Sequence, residues 1–259
     1  MYFNILNGGC MEKRIWELDF LRGVCVAAMI FDHVLYDLTY VFFVPFSALP
    51  AYFDWEIRTI IRIGVVLSFV LLCGISCSFS RSNLLRGAKL AVVAILLSAV
   101  TKVLDLVQGE GDRFIIVFGV LHMLALSIVI YAILEKFISG KPLLVLGIVL
   151  AGIGVYFYTA LYNAPSGAEI LSLLVPLKGG IYSADYFPIL PGVGFLLIGA
   201  FLGPVLYGTK TSRFPLKGAP RLSRPFLFAG RHALIFYLAH QPIVLGVLSL
   251  LFLIINHHL

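Results

Sequence analysis

The strongest constraint on this chain is a series of seven apolar runs, at about 18–42, 57–80, 84–106, 114–134, 142–162, 186–206 and 228–256, joined by short polar links. Each is roughly 20 residues or longer, the length a helix needs to cross the ~30 Å hydrocarbon layer of a bilayer. Lipid offers the backbone no hydrogen bonds, so a crossing segment must satisfy its own N–H and C=O groups, as a helix does. The composition agrees, with 61% hydrophobic and 12% charged residues, where soluble domains carry roughly 25% charged. A water-soluble globule is excluded. The expectation is an all-α, polytopic integral membrane bundle of about seven transmembrane helices. Residues 1–17, too polar for a signal-peptide core, read as a cytoplasmic N-terminal segment, and 18–256 as a single transmembrane domain.

Lys and Arg residues sort by link, which fixes an orientation. Lys13, Arg14, Arg81, Arg86, Lys89, Lys136, Lys141, Lys210, Arg213, Lys217, Arg221, Arg224 and Arg231 fall on one side. Arg58, Arg62, Lys102, Arg113 and Lys178 fall on the other. The N-terminus is therefore predicted cytoplasmic and the C-terminus outside. The net charge of +6 reports this orientation and lipid contact rather than nucleic acid. Positive-inside bias accounts for most of the inner cluster, which would also suit the phosphates of a nucleotide-like ligand. Stretch 163–185 reads as an outer lid that does not cross. Pro188, Pro191, Gly192 and Gly194 predict an irregular outer half for the sixth span. The small residues Gly192, Gly194, Gly199, Ala200 and Gly203 offer a packing face either within the chain or toward a second copy in a homodimer. There is no internal repeat of the inverted-repeat transporter kind.

Ionisable residues inside a span are costly and mark function. The first span carries Asp19, Arg22, Asp32, His33 and Asp37. At 100° per residue, Asp19, Arg22, His33 and Asp37 fall within about 60° of one another, and Asp32 lies about 100° away, toward a neighbouring helix. Helical rise places His33 roughly 22 Å above the inner surface, His122 about 18 Å above it, and His240 about 13 Å beyond Arg231. Three imidazoles thus reach the middle of the membrane. Asp37, one turn from His33, would fix its tautomer as a general base requires. His122 taken alone reads more readily as a hydrogen-bonded structural residue than as a catalyst. Pro242 predicts a bend beside His240. Outer tyrosines Tyr156, Tyr158, Tyr162, Tyr182 and Tyr186 form an interfacial belt or stack on sugar. No metal is expected: Cys25, Cys73 and Cys77 read as apolar fillers without further ligands.

Five motifs in order carry a resemblance: RIWELDFLRGVCVAAMIFDHVLYDL, LSFVLLCGISCSFSRSNLLRG, FGVLHMLALSIV, DYFPILPGVGFLLIGAFLG and LIFYLAHQP. From Arg14 to Pro242 the chain resembles the bacterial membrane proteins whose domain is assigned as the heparan-alpha-glucosaminide N-acetyltransferase catalytic domain, within the wider transmembrane acyltransferase group. The resemblance implies acetyl transfer from cytosolic acetyl-CoA to a sugar or amino-sugar acceptor on the far side of a bacterial plasma membrane. By motif, His33 takes the place of the polar residue of the first helix and His240 the histidine of the last conserved helix, while Arg22 and Arg86 match basic positions. The sequence departs from the lysosomal relative, which has asparagine at the place of His33 and its catalytic histidine in the following loop. Residues 34–56 here contain no histidine.

Together these readings make His33, oriented by Asp37, the base or acyl carrier, with His240 or His122 donating to the oxyanion. CoA phosphates are assigned to Arg22, Arg81, Arg86, Arg224 and Arg231, and the acceptor to Asp32, Asp185, Tyr186 and Gln241. The competing reading is a proton-coupled transporter or flippase using the Asp/His stripe as a relay.

Overall fold

The computed structural model describes residues 15–44, 56–109, 114–160, 173–174, 183–208, 210–214 and 221–257. Among them are eight α-helices: α1 (Trp16–Tyr36), α2 (Glu56–Cys77), α3 (Asn83–Gln108), α4 (Val120–Leu134), α5 (Lys141–Ala160), α6 (Ile189–Tyr207), α7 (Arg224–Arg231) and α8 (Ala233–His257). The chain is a helical membrane protein. Helices α2, α3, α6 and α8 are long and apolar enough to cross. α1 has 21 residues, about 31 Å at 1.5 Å per residue, but carries the charged stripe. α4 has 15 residues, about 22 Å long, because residues 114–119 are not helical as the fourth run suggested. The seventh run is likewise divided, with α7 ending at Arg231 and α8 starting at Ala233. Most of the lid stretch, together with Lys13, Arg14, Arg113, Lys178, Lys217 and the side chains of Tyr158, Tyr162, Tyr182 and Arg221, lies outside the described residues.

Contacts divide the chain into two compact units, residues 1–65 with 207–259 and residues 66–206. In the first, α1 and α7 meet backbone to backbone. A Cβ at Gly23 would overlap the Phe226 carbonyl, and one at Gly230 the Asp19 carbonyl, so glycine is required at both for this approach. Phe20 packs edge-on against Phe226, ring centroids 5.6 Å apart. The start of α1 is pinned by Trp16 Nε1 donating to the Phe214 carbonyl at 2.9 Å, and by Glu17 Oε1 accepting from Ser212 Oγ at 2.6 Å and Phe214 N–H at 3.0 Å. Beyond α1 a π-helical turn, Asp37–Val41, carries Phe42 onto Phe252 of α8 in a stacked pair at 4.6 Å.

The second unit has its core among Val70, Cys73, Cys77, Met123, Ile128, Leu196 and Leu197, all buried. The helix α6 is regular, contrary to the irregular outer half expected from Pro188 and Pro191. Pro188 precedes the helix and Pro191 sits in its first turn, where backbone N–H groups have no intrahelical acceptor and a missing one costs nothing. Its small residues admit neighbours within the chain: a Cβ at Gly199 would overlap the Leu71 carbonyl, at Gly194 the backbone of Ala151, and at Gly192 the Met123 sulfur. That face is occupied by α2, α4 and α5 and not left for a second copy. Asn83, buried at the start of α3, donates to the Cys77 carbonyl and to Glu135 Oε2, each at 3.0 Å, tying three helix ends together.

Candidate active site

The first unit brings His33 of α1 and His240 of α8 together, ring centroids 4.7 Å apart and planes tilted by 57°. These helices are far apart in sequence, and the pairing follows from matched polar faces, since Asp37 lies one turn beyond His33 and Gln241 beside His240. Gln241 Nε2 donates to both oxygens of Asp37, at 3.1 and 3.2 Å. Asp37, only 1% exposed, is thereby satisfied by Gln241 and not by His33 as the one-turn spacing suggested. The π-helical turn starts at Asp37, and the carboxylate takes the amide across the helix interface. His240 Nδ1 lies 2.6 Å from the Tyr237 carbonyl.

Asp32, placed off the stripe by the helical wheel, meets α2. Arg58 Nε and Nη2 donate one hydrogen bond each to its two oxygens, both at 2.8 Å, a fork-to-fork pair. The acceptor contact expected at Asp32 takes no account of Arg58, an outer charge in the expected topology. A charged residue just inside a span needs a partner, and that signal was present in Arg58. Lower on α1, Asp19 is buried between Arg22 at 3.0 Å and Arg231 at 3.5 Å, so Arg22, expected at the CoA phosphates, is paired with a carboxylate.

Nearby on the same unit, an open groove of about 280 Å³ is lined by Arg224, Leu227, Phe228, Arg231 and His232. Leu227 is buried there, while Phe228, Arg224, Arg231 and His232 are exposed. Glu17, just before the first span, is pulled up by burial, but hydrogen bonds from Ser212 and from the backbone outweigh this and hold its carboxyl below the ordinary value.

The other assigned residues lie in the second unit. His122 Nδ1 accepts from Gly119 N–H at 3.3 Å, capping α4, and Nε2 lies 3.1 Å from Ser98 Oγ. Both ring nitrogens are therefore engaged in holding the helix start. Asp185 Oδ2 accepts from Val120 N–H at 3.2 Å, a carboxylate at the positive end of α4, and Tyr186 bridges to Gly119. Thr101 and Asp105 of α3 accept from Ile116 and Phe114 N–H, completing a polar lattice that fixes 114–119. This lattice was not foreseen, because its acceptors on α3 are spread through an otherwise apolar run. Arg81 and Arg86 are exposed at the α2–α3 link. No group of three His, Cys, Asp or Glu able to hold a metal occurs among the described residues.

A family model described as heparan-alpha-glucosaminide N-acetyltransferase, catalytic, matches residues 14–242. The chain belongs to this family. No curated protein and no solved structure matches it. Membership in the N-acetyltransferase family makes a membrane acetyltransferase the reading to test against the site, and the matched span takes in both histidines, the Asp37–Gln241 pair and the α7 groove.

Proposed function

We propose that this chain moves an acetyl group from cytosolic acetyl-CoA to a sugar or amino-sugar acceptor on the far side of a bacterial plasma membrane. The observation that carries the reading is the His33–His240 pair, two imidazoles held 4.7 Å apart within a family of N-acetyltransferases. Acyl transfer needs a group that takes the acceptor's proton as the nucleophile attacks, and imidazole suits that task. The seven-crossing, N-inside topology and the single transmembrane domain belong to the same reading.

The groove on α7 is assigned to the CoA phosphates. Arg224 and Arg231 supply planar donors for phosphate oxygens, and Phe228 and Leu227 an apolar surface for the rest of the nucleotide. From Ala233, just past the groove, to His240 the rise of α8 is about 10 Å, a span for an extended pantetheine arm to bridge. His122 and Asp185 serve as helix-capping groups in this account, and Asp32 and Arg22 as ion-paired supports.

Calorimetric titration of the purified protein with CoA tests the donor site. Binding is expected, with Arg224→Glu weakening it at least tenfold, about 1.4 kcal/mol. Wild-type protein that fails to bind CoA at millimolar concentration would overturn the reading and favour the proton-coupled transporter.

A further inference from the structure

Two buried acceptors on adjacent residues of α8 have no hydrogen-bond donor among the described residues: His240 Nε2 and Gln241 Oε1. A buried polar atom left unpaired costs about 1–3 kcal/mol, so each invites a donor from outside the protein. The identity of both atoms follows from their neighbours. A carbonyl oxygen only accepts, so the 2.6 Å contact to Tyr237 puts a proton on Nδ1, and in the neutral ring the lone pair is then on Nε2. A carboxylate likewise only accepts, so the contacts to Asp37 fix the Gln241 amide with its oxygen turned away from Asp37. No comparable hydrogen bond sets the tautomer of His33 among the described residues.

The geometry points to His240 Nε2, and not His33, as the atom that takes the proton from the acceptor nucleophile, with Gln241 Oε1 as a second acceptor that orients it. This rests on the acetyltransferase reading. The nucleophile's N–H or O–H bond breaks toward His240 Nε2 as its heteroatom bonds to the acetyl carbon. The C–S bond of acetyl-CoA breaks, and the proton passes from His240 to the departing thiolate, giving CoA and returning His240 to the neutral form. His33 walls the imidazole on one side and acts as a positioning residue. Asp37 acts one step further back, through Gln241.

The test compares His240→Gln with His33→Gln in protein that still binds CoA. His240→Gln is expected to lower kcat 10²- to 10⁴-fold, the usual yield of a general base, and His33→Gln by about tenfold or less. Added imidazole should restore activity to His240→Ala and not to His33→Ala. Because either variant can misfold, nitrogen-15 NMR of histidine-labelled wild-type protein in bilayers provides an independent reading, with the Nδ1–H form of His240 expected. A larger loss at His33 than at His240, or an Nε2–H form of His240, would overturn the assignment. Wild-type protein with no acetyl transfer would instead defeat the proposed function, leaving the tautomer to be judged by NMR alone.

Discussion

The pair between Asp32 and Arg58 offers a quantitative probe of how α1 is held where His33 meets His240. Both hydrogen bonds are 2.8 Å long, and the side chains are 16% and 15% exposed. Charges centred about 4 Å apart attract by about 4 kcal/mol at an effective dielectric of 20. Residual solvent contact roughly halves this, so the expected coupling is about 2 kcal/mol, above the ~0.2–1 kcal/mol of exposed pairs. A double-mutant cycle of Asp32→Asn and Arg58→Gln isolates the term. Each single change is expected to cost about 3 kcal/mol, because it strands a charge in a half-dry site, and the double variant about 4 kcal/mol. Equilibrium unfolding in mixed detergent and dodecyl sulfate, followed by circular dichroism, reads all three. Turnover should fall in both single variants, since Asp32 adjoins His33. A coupling below about 0.5 kcal/mol would refute the fork and its positioning role.

Gly230→Ala places a methyl group against the Asp19 carbonyl, and the same unfolding assay should register a loss of about 1–3 kcal/mol from overpacking. An unchanged midpoint would contradict the close approach of α1 and α7. His122→Ala leaves Gly119 N–H and the Ser98 hydroxyl short of a partner. It should cost about 1–2 kcal/mol of stability, with a far smaller effect on kcat than His240→Gln. For Glu17, whose folded carboxyl is held below its ordinary value, the sign is that of a depressed acid. Its stabilisation is full above the unfolded pKa and is lost as the pH falls through the folded one. Thermal melts from pH 7 to pH 3 should therefore show a shallower acid decline in Glu17→Gln, and identical curves would count against the contact with Ser212 and Phe214.

The membrane class was legible because apolar length speaks directly to bilayer thickness, and the polar face of α1 because helical period survives burial. Meetings across helices were less so. The wheel put Asp37 beside His33, yet a carboxylate takes whichever donor the fold presents, and Gln241 reached it from a residue more than two hundred positions away. Depth alone brought His33 and His240 toward the middle of the membrane but says nothing about azimuth, so their meeting was legible only in part, and the contacts of His122 with Gly119 and Ser98 were not legible at all. Pro191 misled because proline is costly only where an N–H would have had an intrahelical acceptor, and whether it falls in the first turn depends on a helix start that sequence places poorly. Glycines at 23 and 230 could have been read as a close-approach pair only by knowing that α1 and α7 are neighbours.

The most direct test is sided acetyl transfer in proteoliposomes, with radiolabelled acetyl-CoA on the face bearing the α7 groove and amino sugars on the opposite face. The account predicts acetylated sugar on the acceptor side, CoA release in equal amount on the donor side, and loss of both in His240→Gln. Sugar crossing the bilayer without acetyl-CoA, with no acetylated product, would contradict it.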